Sequence, residues 1–206
     1  GSGREVAVAP PLDRFIPGTA QASLSLGGPV RYDAGALLRA LELYPFACLE
    51  QSSSRLLGLA SFPNSPDRAG ALQQGVESVL NRQRFDGGFG LWSASGEAEP
   101  WLSAFAVEAL LRARTAGAVV PEAALEDALK YLLGEVERDP NTPEERAAQA
   151  YRLHARAMAG RHRLGAARRL LEQLDRLPTP LSKAQLGSTF ARAAHGGWKT
   201  TRDLGR

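Results

Sequence analysis

Apolar residues recur every three or four positions along most of the chain from residue 33 onward, the spacing that places them on one face of an α-helix. Residues that favour helix ends separate these runs, as in Ser65-Pro66-Asp67 and in Thr142-Pro143, where Glu145 completes a capping-box pattern. We therefore predict about eight helices. They are expected over residues 33–44, 48–59, 65–80, 101–114, 121–136, 142–158, 167–177 and from 180 to the glycine pair at 196–197.

The pattern before residue 29 is different. Val6 and Val8 alternate with other residues, residues 20–26 alternate small or polar residues with larger ones, and proline and glycine pairs punctuate these runs. This indicates one or two short strands with turns, too little to form a sheet alone, and Gly1-Ser2-Gly3 is typical of a tag remnant. We predict an all-α fold with a short β-like N-terminal arm, and a boundary between 1–28 and 29–206.

Short connections make consecutive helices antiparallel neighbours, which favours helical hairpins stacked in a solenoid or toroid. The periodicity alone does not separate a toroid from a bundle. One loop, Gln83 to Trp92, alternates glycines with aromatic residues. Glycine permits backbone conformations closed to other residues, so that aromatics can pack between hairpins. We expect Phe89 and Trp92 to be buried there.

Composition narrows the possible partners. Hydrophobic residues make up 44% of the chain, charged residues 23%, and the net charge is +3. This composition is typical of a globular protein. The chain contains no run of about 20 apolar residues, the length that a helix needs to span a membrane. The arginines are dispersed apart from a group at 161–169, which is typical of a solvated helix face. We expect no nucleic acid, no membrane contact by this chain, no cofactor and no metal.

The most informative residues are Cys48-Leu49-Glu50-Gln51. Cys48 is the only cysteine, so no internal disulfide can form, and a glutamine follows three positions later. At that spacing a thiolate could attack the side-chain amide, expel ammonia and close a thioester ring. A helix that begins near Cys48 would favour the thiolate through its unpaired N–H groups. Holding both groups in one tight turn would supply the proximity that the reaction needs.

Residues 44–55, which read YPFACLEQSSSR, resemble the thioester motif of bacterial α2-macroglobulins, relatives of complement C3. The loop at 83–92 resembles the QW-type loop of α/α toroids. The resemblance implies a partial α/α toroid of helical hairpins over 29–206, truncated at its C-terminal side. It also implies that 1–28 holds the tail of a preceding β-rich domain.

The same resemblance implies the function. The family traps proteases: after bait cleavage elsewhere in the parent protein, amines of the protease attack the thioester, so the domain is a covalent trap and no enzyme. Its thioester would join Cys48 and Gln51, with Leu49 and Glu50 supporting the motif and Tyr44 and Phe46 shielding the bond. The implied partners are target proteases and neighbouring β-domains of the same chain. The implied location is the periplasm. The parent protein could also carry a lipid anchor that holds it at the inner membrane.

Other functions stay open at this stage. An enzyme of the terpene-cyclase or prenyltransferase toroid class would need an acidic or zinc-binding motif, which the sequence lacks. A plain helical interaction module would need no motif. A Cys–His hydrolase would require the fold to bring His154 to Cys48. Some complement proteins also carry a histidine that takes over the acyl group; His154 and His162 are the candidates here, although the register points nearer to Tyr151, and both are expected at the surface.

Overall fold

The structure is a computed structural model that describes residues 16–19, 36–37, 40–41, 47–61 and 68–203, with side chains as far as residue 195. The chain divides into two compact units, Gly1–Ala36 and Leu37–Arg206. In the first, residues 16–19 form a turn closed by hydrogen bonds from the N–H (3.1 Å) and the hydroxyl (2.7 Å) of Thr19 to the carbonyl of Ile16. The rest of the predicted β-like arm lies outside the described residues.

The second unit is helical, and no strand occurs in the part of the chain that the structure describes. Its helices are α1 (Leu49–Ser61), α2 (Arg68–Leu80), α3 (Pro100–Thr115), α4 (Glu122–Val136), α5 (Pro143–Met158), α6 (Leu164–Leu171) and α7 (Pro180–Asp203), with a 3₁₀ turn at Leu174–Arg176. The all-α prediction is confirmed. Within the described ranges, no helix combines the length and apolar character that a membrane crossing requires.

Alternate helices form the inner layer of the fold. Helix α1 packs against α3, α3 against α5 and α5 against α7, while α2, α4 and α6 each pack on the helices that precede and follow them. Most of the connections are short, which favours antiparallel packing of the helices that they join, whereas a long loop over residues 81–99 connects α2 to α3. This is the predicted stack of hairpins in a partial α/α toroid.

Two hydrophobic clusters hold the helices together. The larger one joins α1, α2, α3, α4 and α5 through fully buried residues such as Leu56, Val76, Leu110 and Leu132. The smaller one joins the end of α4, at Val136, to α5, α6 and α7 around Leu170. Small residues on α3 and α5 let the inner helices approach closely, since a run of alanines occupies their buried faces.

The glycine-rich loop at 83–92 is fixed on both sides. The N–H of Phe89 donates to the Ser103 hydroxyl (3.0 Å), and the Gln83 side chain donates to the carbonyl of Ala124 (2.7 Å). Gly87 has φ +88°, and a Cβ there would stand 2.2 Å from the Asp127 carbonyl oxygen. Only glycine satisfies both the backbone conformation and the close approach to α4. The loop thus ties the α2–α3 connection to α4, as a structural turn.

Four predictions on the elements need comment. Phe89 is fully buried as expected, but Trp92 is 66% exposed, so its predicted burial is wrong: the loop turns outward after Leu91. The predicted helix at 167–177 divides into α6 and the 3₁₀ turn. Helix α7 continues through the glycine pair at 196–197, because glycine costs a helix only about 1 kcal/mol. Of the helix predicted at 33–44, the described residues 36–37 and 40–41 are helical.

Candidate functional site

Cys48 is the residue that begins the first inner helix. Its carbonyl accepts the N–H of Ser52 (3.0 Å), the first hydrogen bond of α1, which makes Cys48 the N-cap and Gln51 the third helical residue. The side chain of Cys48 is buried, with 6% of the residue exposed, and it is a free thiol. The prediction that a helix starts at this cysteine is confirmed.

Gln51 folds back onto that N-cap. The main-chain N–H of Cys48 donates to Gln51 Oε1 at 3.0 Å. This is half of a capping box, in which the third helical residue satisfies the N–H of the N-cap residue. A Cys-x-x-Gln spacing at a helix start therefore brings the amide of the glutamine to the backbone of the cysteine through ordinary helix-end hydrogen bonding.

This arrangement has a chemical consequence. Attack on the Gln51 amide carbon would place negative charge on Oε1, the atom that already accepts the Cys48 N–H. A hydrogen-bond donor aimed at such an oxygen stabilises the tetrahedral intermediate of acyl transfer. The geometry thus places one hydrogen-bond donor on the Gln51 amide oxygen, in a partly buried turn.

The turn is anchored to the neighbouring elements at two points. The N–H of Leu49 donates to the carbonyl of Leu91 (2.8 Å), which connects the start of α1 to the glycine-rich loop. Arg82, just after α2, donates from one guanidinium nitrogen to the carbonyl of Ala47 and from another to the carbonyl of Ser78. The residues on either side of Cys48 are therefore held by α2 and by the loop that follows it.

A small cavity of about 80 Å³ opens beside Gln51. The Ser78 hydroxyl donates to the Ser52 hydroxyl (3.1 Å) across the α1–α2 contact that bounds it. The cavity is lined by Leu41, Ala47, Gln51, Ser52, Arg55, Gln74, Gly75 and Ser78. Its size suits one or a few water-sized groups, and its wall combines polar side chains with apolar surface.

The other predicted site residues take different positions. Leu49 is completely buried in the larger core cluster, so it anchors the helix start. Glu50 is exposed in the first turn of α1, where a carboxylate interacts favourably with the helix dipole, and none of the described hydrogen bonds involves it. Tyr44 and Phe46, the predicted shield, lie outside the described residues.

The two candidate histidines do not line this cavity. Both are half-buried rather than at the surface, contrary to expectation, and the Nδ1 of each is buried without a hydrogen-bond partner among the described residues. Burial lowers the pKa of His154. The Tyr151 hydroxyl donates to Glu108 Oε2 (2.7 Å), and burial, followed by that carboxylate, raises the pKa of Tyr151.

Sequence reasoning did not identify Arg82, Ser78 or Ser52 as parts of the site. They belong to it through hydrogen bonds that join residues 26 to 35 positions apart in the sequence. The one available signal was the register of α2, which places Ser78 and Arg82 four residues apart on one face. Among the described residues, no group of three or more His, Cys, Asp or Glu side chains could hold a metal ion.

Comparisons with known proteins identify the family of this chain. Residues 43–162 match the family model described as the A-macroglobulin TED domain. The α2-macroglobulin of Escherichia coli (strain K12) is 30% identical over 203 residues, which cover 85% of this chain and 12% of that protein. The chain thus spans about one eighth of that relative's length.

Two solved structures show the likeness in three dimensions. The crystal structure of Salmonella α2-macroglobulin reacted with methylamine has a TM-score of 0.70 and 30% identity, over 78% of this chain and 12% of that chain. The crystal structure of trypsin-activated α2-macroglobulin from Escherichia coli has a TM-score of 0.67 and 27% identity, over 73% of this chain and 12% of that chain.

Proposed function

Because this chain belongs to the A-macroglobulin TED domain family and resembles bacterial α2-macroglobulins, we propose that it is the thioester domain of a larger protease inhibitor. In this proposal an internal thioester between Cys48 and Gln51 traps attacking proteases through their amines. The observation that carries it is the 3.0 Å hydrogen bond from the Cys48 N–H to the Gln51 side-chain oxygen, at the N-terminus of a buried helix.

The thioester forms in one acyl transfer. The Cys48 thiolate attacks the Gln51 amide carbon, and the Cys48 N–H stabilises the charge that develops on Oε1. The amide nitrogen takes up a proton and leaves as ammonia, and a carbon–sulfur bond remains. Arg82 and the Leu91 carbonyl hold the backbone on both sides of Cys48, which limits the motion that would separate the two groups.

The thioester then reacts with a lysine of the target protease. A neutral lysine amine attacks the acyl carbon, a carbon–nitrogen bond forms, and the sulfur leaves as a thiolate that takes up a proton. The product is an amide between the former Gln51 side chain and the protease, with a free Cys48 thiol. One molecule reacts once, so the domain acts as a covalent trap and not as an enzyme with turnover.

The remaining features of the proposal follow the family. Bait cleavage by a protease elsewhere in the chain exposes the thioester, in line with the trypsin-activated relative. Tyr44, Phe46 and a neighbouring β-domain shield the bond until then. The parent protein acts in the periplasm, and residues 1–28 belong to the domain that precedes this one. Reaction of the Salmonella relative with methylamine supports attack by amines.

Mass spectrometry of the full-length protein tests the proposal. We expect an intact mass lower than the sequence mass by one ammonia, and addition of methylamine at Gln51 with release of one thiol at Cys48. Cys48→Ala should keep the full mass and take up no methylamine. Gln74→Glu is the matched control, because Gln74 lines the same cavity and none of the described hydrogen bonds joins it to Cys48, so it should leave both results unchanged. Label on another residue would contradict the proposal.

A further inference from the structure

An open groove adjoins the cavity beside Gln51. It is shallow and open to solvent, has a volume of about 390 Å³ and shares Gln74 and Ser78 with that cavity. One wall is the outer face of α2 and its last turn, and the other is the end of the glycine-rich loop. The groove is lined by Gln74, Glu77, Ser78, Asn81, Arg82, Trp92 and Ser93.

The groove has one aromatic wall. Trp92 is 66% exposed, although Leu91 beside it is held by the N–H of Leu49 at 2.8 Å. The loop is therefore anchored at the residue that precedes the tryptophan. An exposed tryptophan on an anchored segment presents a large flat apolar face with a single N–H donor at its edge. Such a face can pack against the flat C–H surface of a saturated ring in a ligand.

The opposite wall is polar and unoccupied by internal hydrogen bonds. Gln74, Glu77 and Asn81 lie three and four residues apart, which places them on one face of α2, and the N–H of Asn81 continues the helical pattern by donating to the Glu77 carbonyl (2.9 Å). Within the described part of the chain, their side chains make no hydrogen bond. Together they offer amide donors, amide acceptors and a carboxylate acceptor.

The charge of the groove restricts its ligand. Its described lining contains one carboxylate, on Glu77, and one guanidinium, on Arg82, which already donates to the Ala47 and Ser78 carbonyls. A polyanion such as nucleic acid needs several free cations, which the described lining residues do not supply. A lipid chain or an apolar peptide anchor needs an apolar pocket, and Trp92 is the only large apolar side chain among the described lining residues.

A neutral ligand with hydroxyl groups and a flat C–H face matches all three observations. We infer that this groove binds a saccharide, with one sugar ring stacked on Trp92 and its hydroxyls bonded to Gln74, Glu77 and Asn81. Each hydroxyl both donates and accepts, which the amides and the carboxylate can satisfy in turn. The inference does not depend on the thioester, because every residue that it uses lies outside the Cys48–Gln51 turn.

A glycan array probed with the labelled 206-residue chain tests this inference. We expect binding to a defined set of glycans, lowered about tenfold or more by Trp92→Ala and clearly by Asn81→Ala, as the loss of a stacked ring and of a hydrogen bond implies. Phe85→Ala is the matched control, because Phe85 is 96% exposed and does not line the groove. The indole N–H signal of Trp92, assigned in ¹H–¹⁵N spectra by its absence in Trp92→Ala, should shift with the bound glycan.

Three results would overturn the inference. The first is an array on which no glycan binds the wild-type chain. The second is glycan binding that Trp92→Ala leaves unchanged. The third is salt-sensitive binding of a lysine-rich peptide, lost in Glu77→Gln, in place of any glycan. Circular dichroism of each variant, which should match the wild type, ensures that a loss of binding is not a loss of folding.

Discussion

The main-chain nitrogen of Cys48 and the side-chain oxygen of Gln51 lie 3.0 Å apart, so that Gln51 caps the first inner helix with the oxygen of the amide that the proposed thioester reaction would use. The two roles come from one hydrogen bond. The three-residue spacing of the motif is the spacing of a capping box, in which a Glu or Gln at the third helical position reaches back to the N-cap. Helix capping therefore accounts for the position of the Gln51 amide that the proposed reaction requires.

Substitution of Gln51 should separate the two roles. Gln51→Glu keeps a side-chain oxygen that can accept the Cys48 N–H, so we expect thermal stability close to that of the wild type. Gln51→Ala removes the cap and should cost about 0.5–1 kcal/mol in the free energy of unfolding. Neither variant can lose ammonia to Cys48, so neither should take up methylamine in the full-length protein. Methylamine uptake by Gln51→Glu would show that the glutamine is not the acyl donor.

Arg82 should stabilise the turn from outside the motif. Arg82→Ala leaves the Ala47 and Ser78 carbonyls without this donor, and we expect a loss of about 1–2 kcal/mol in urea unfolding. The fraction of full-length molecules that have lost ammonia should fall as well. Arg138→Ala is the matched control: its side chain is 77% exposed and paired with Glu135 (3.0 Å), so it should change stability by less than about 0.5 kcal/mol. Equal effects of the two substitutions would contradict the role given to Arg82.

The features that the sequence could predict are those set by neighbouring residues. The start of α5 is an example: Thr142 accepts the N–H of Glu145, whose carboxylate accepts the N–H of Thr142 in return, as the local pattern implies. Cys48 at a helix start is another. In both cases the contacts span three positions, so the local sequence contains all the atoms involved.

The features that the sequence did not predict depend on distant contacts. Arg82 reaches Ala47 across 35 positions, and no local pattern encodes that distance. Phe89 and Trp92 look alike as aromatics in a glycine-rich loop, yet one is fully buried and the other mostly exposed. The difference depends on where the loop is held. The main-chain N–H of Phe89 donates a hydrogen bond to the Ser103 hydroxyl on α3, whereas the loop is anchored at the Leu91 carbonyl and Trp92 lies just beyond that anchor.

The two loop aromatics should therefore differ in their contribution to stability. Phe89 is 0% exposed, and Phe89→Ala should cost about 3–5 kcal/mol, as large aromatic truncations in a core do. Trp92→Ala should change stability by less than about 0.5 kcal/mol, because its ring is mostly in solvent. Chemical denaturation of both variants provides the comparison. A large destabilisation by Trp92→Ala would mean that its ring packs in the interior.

His154 should make the stability of the protein depend on acidity. Burial has the largest effect and lowers the pKa of His154. The Glu108 carboxylate raises this pKa, and Arg192 and Arg112 lower it further. Its ring stacks beside Tyr151 at 6.3 Å between centroids, and its Nδ1 is buried without a partner among the described residues. The folded state therefore holds the imidazole neutral at a pH at which the unfolded chain, with a pKa of about 6.5, is already protonated.

The sign of the effect follows from proton binding. Below about pH 6.5 the unfolded chain binds a proton at His154 that the folded chain excludes, so stability should fall with pH from there down to the lowered pKa of the folded state. His154→Gln should flatten this part of a plot of unfolding free energy against pH. His195→Gln is the control, because His195 is exposed on α7. If the acid slope of His154→Gln matches that of the wild type, the proton uptake that destabilises the fold occurs at another group.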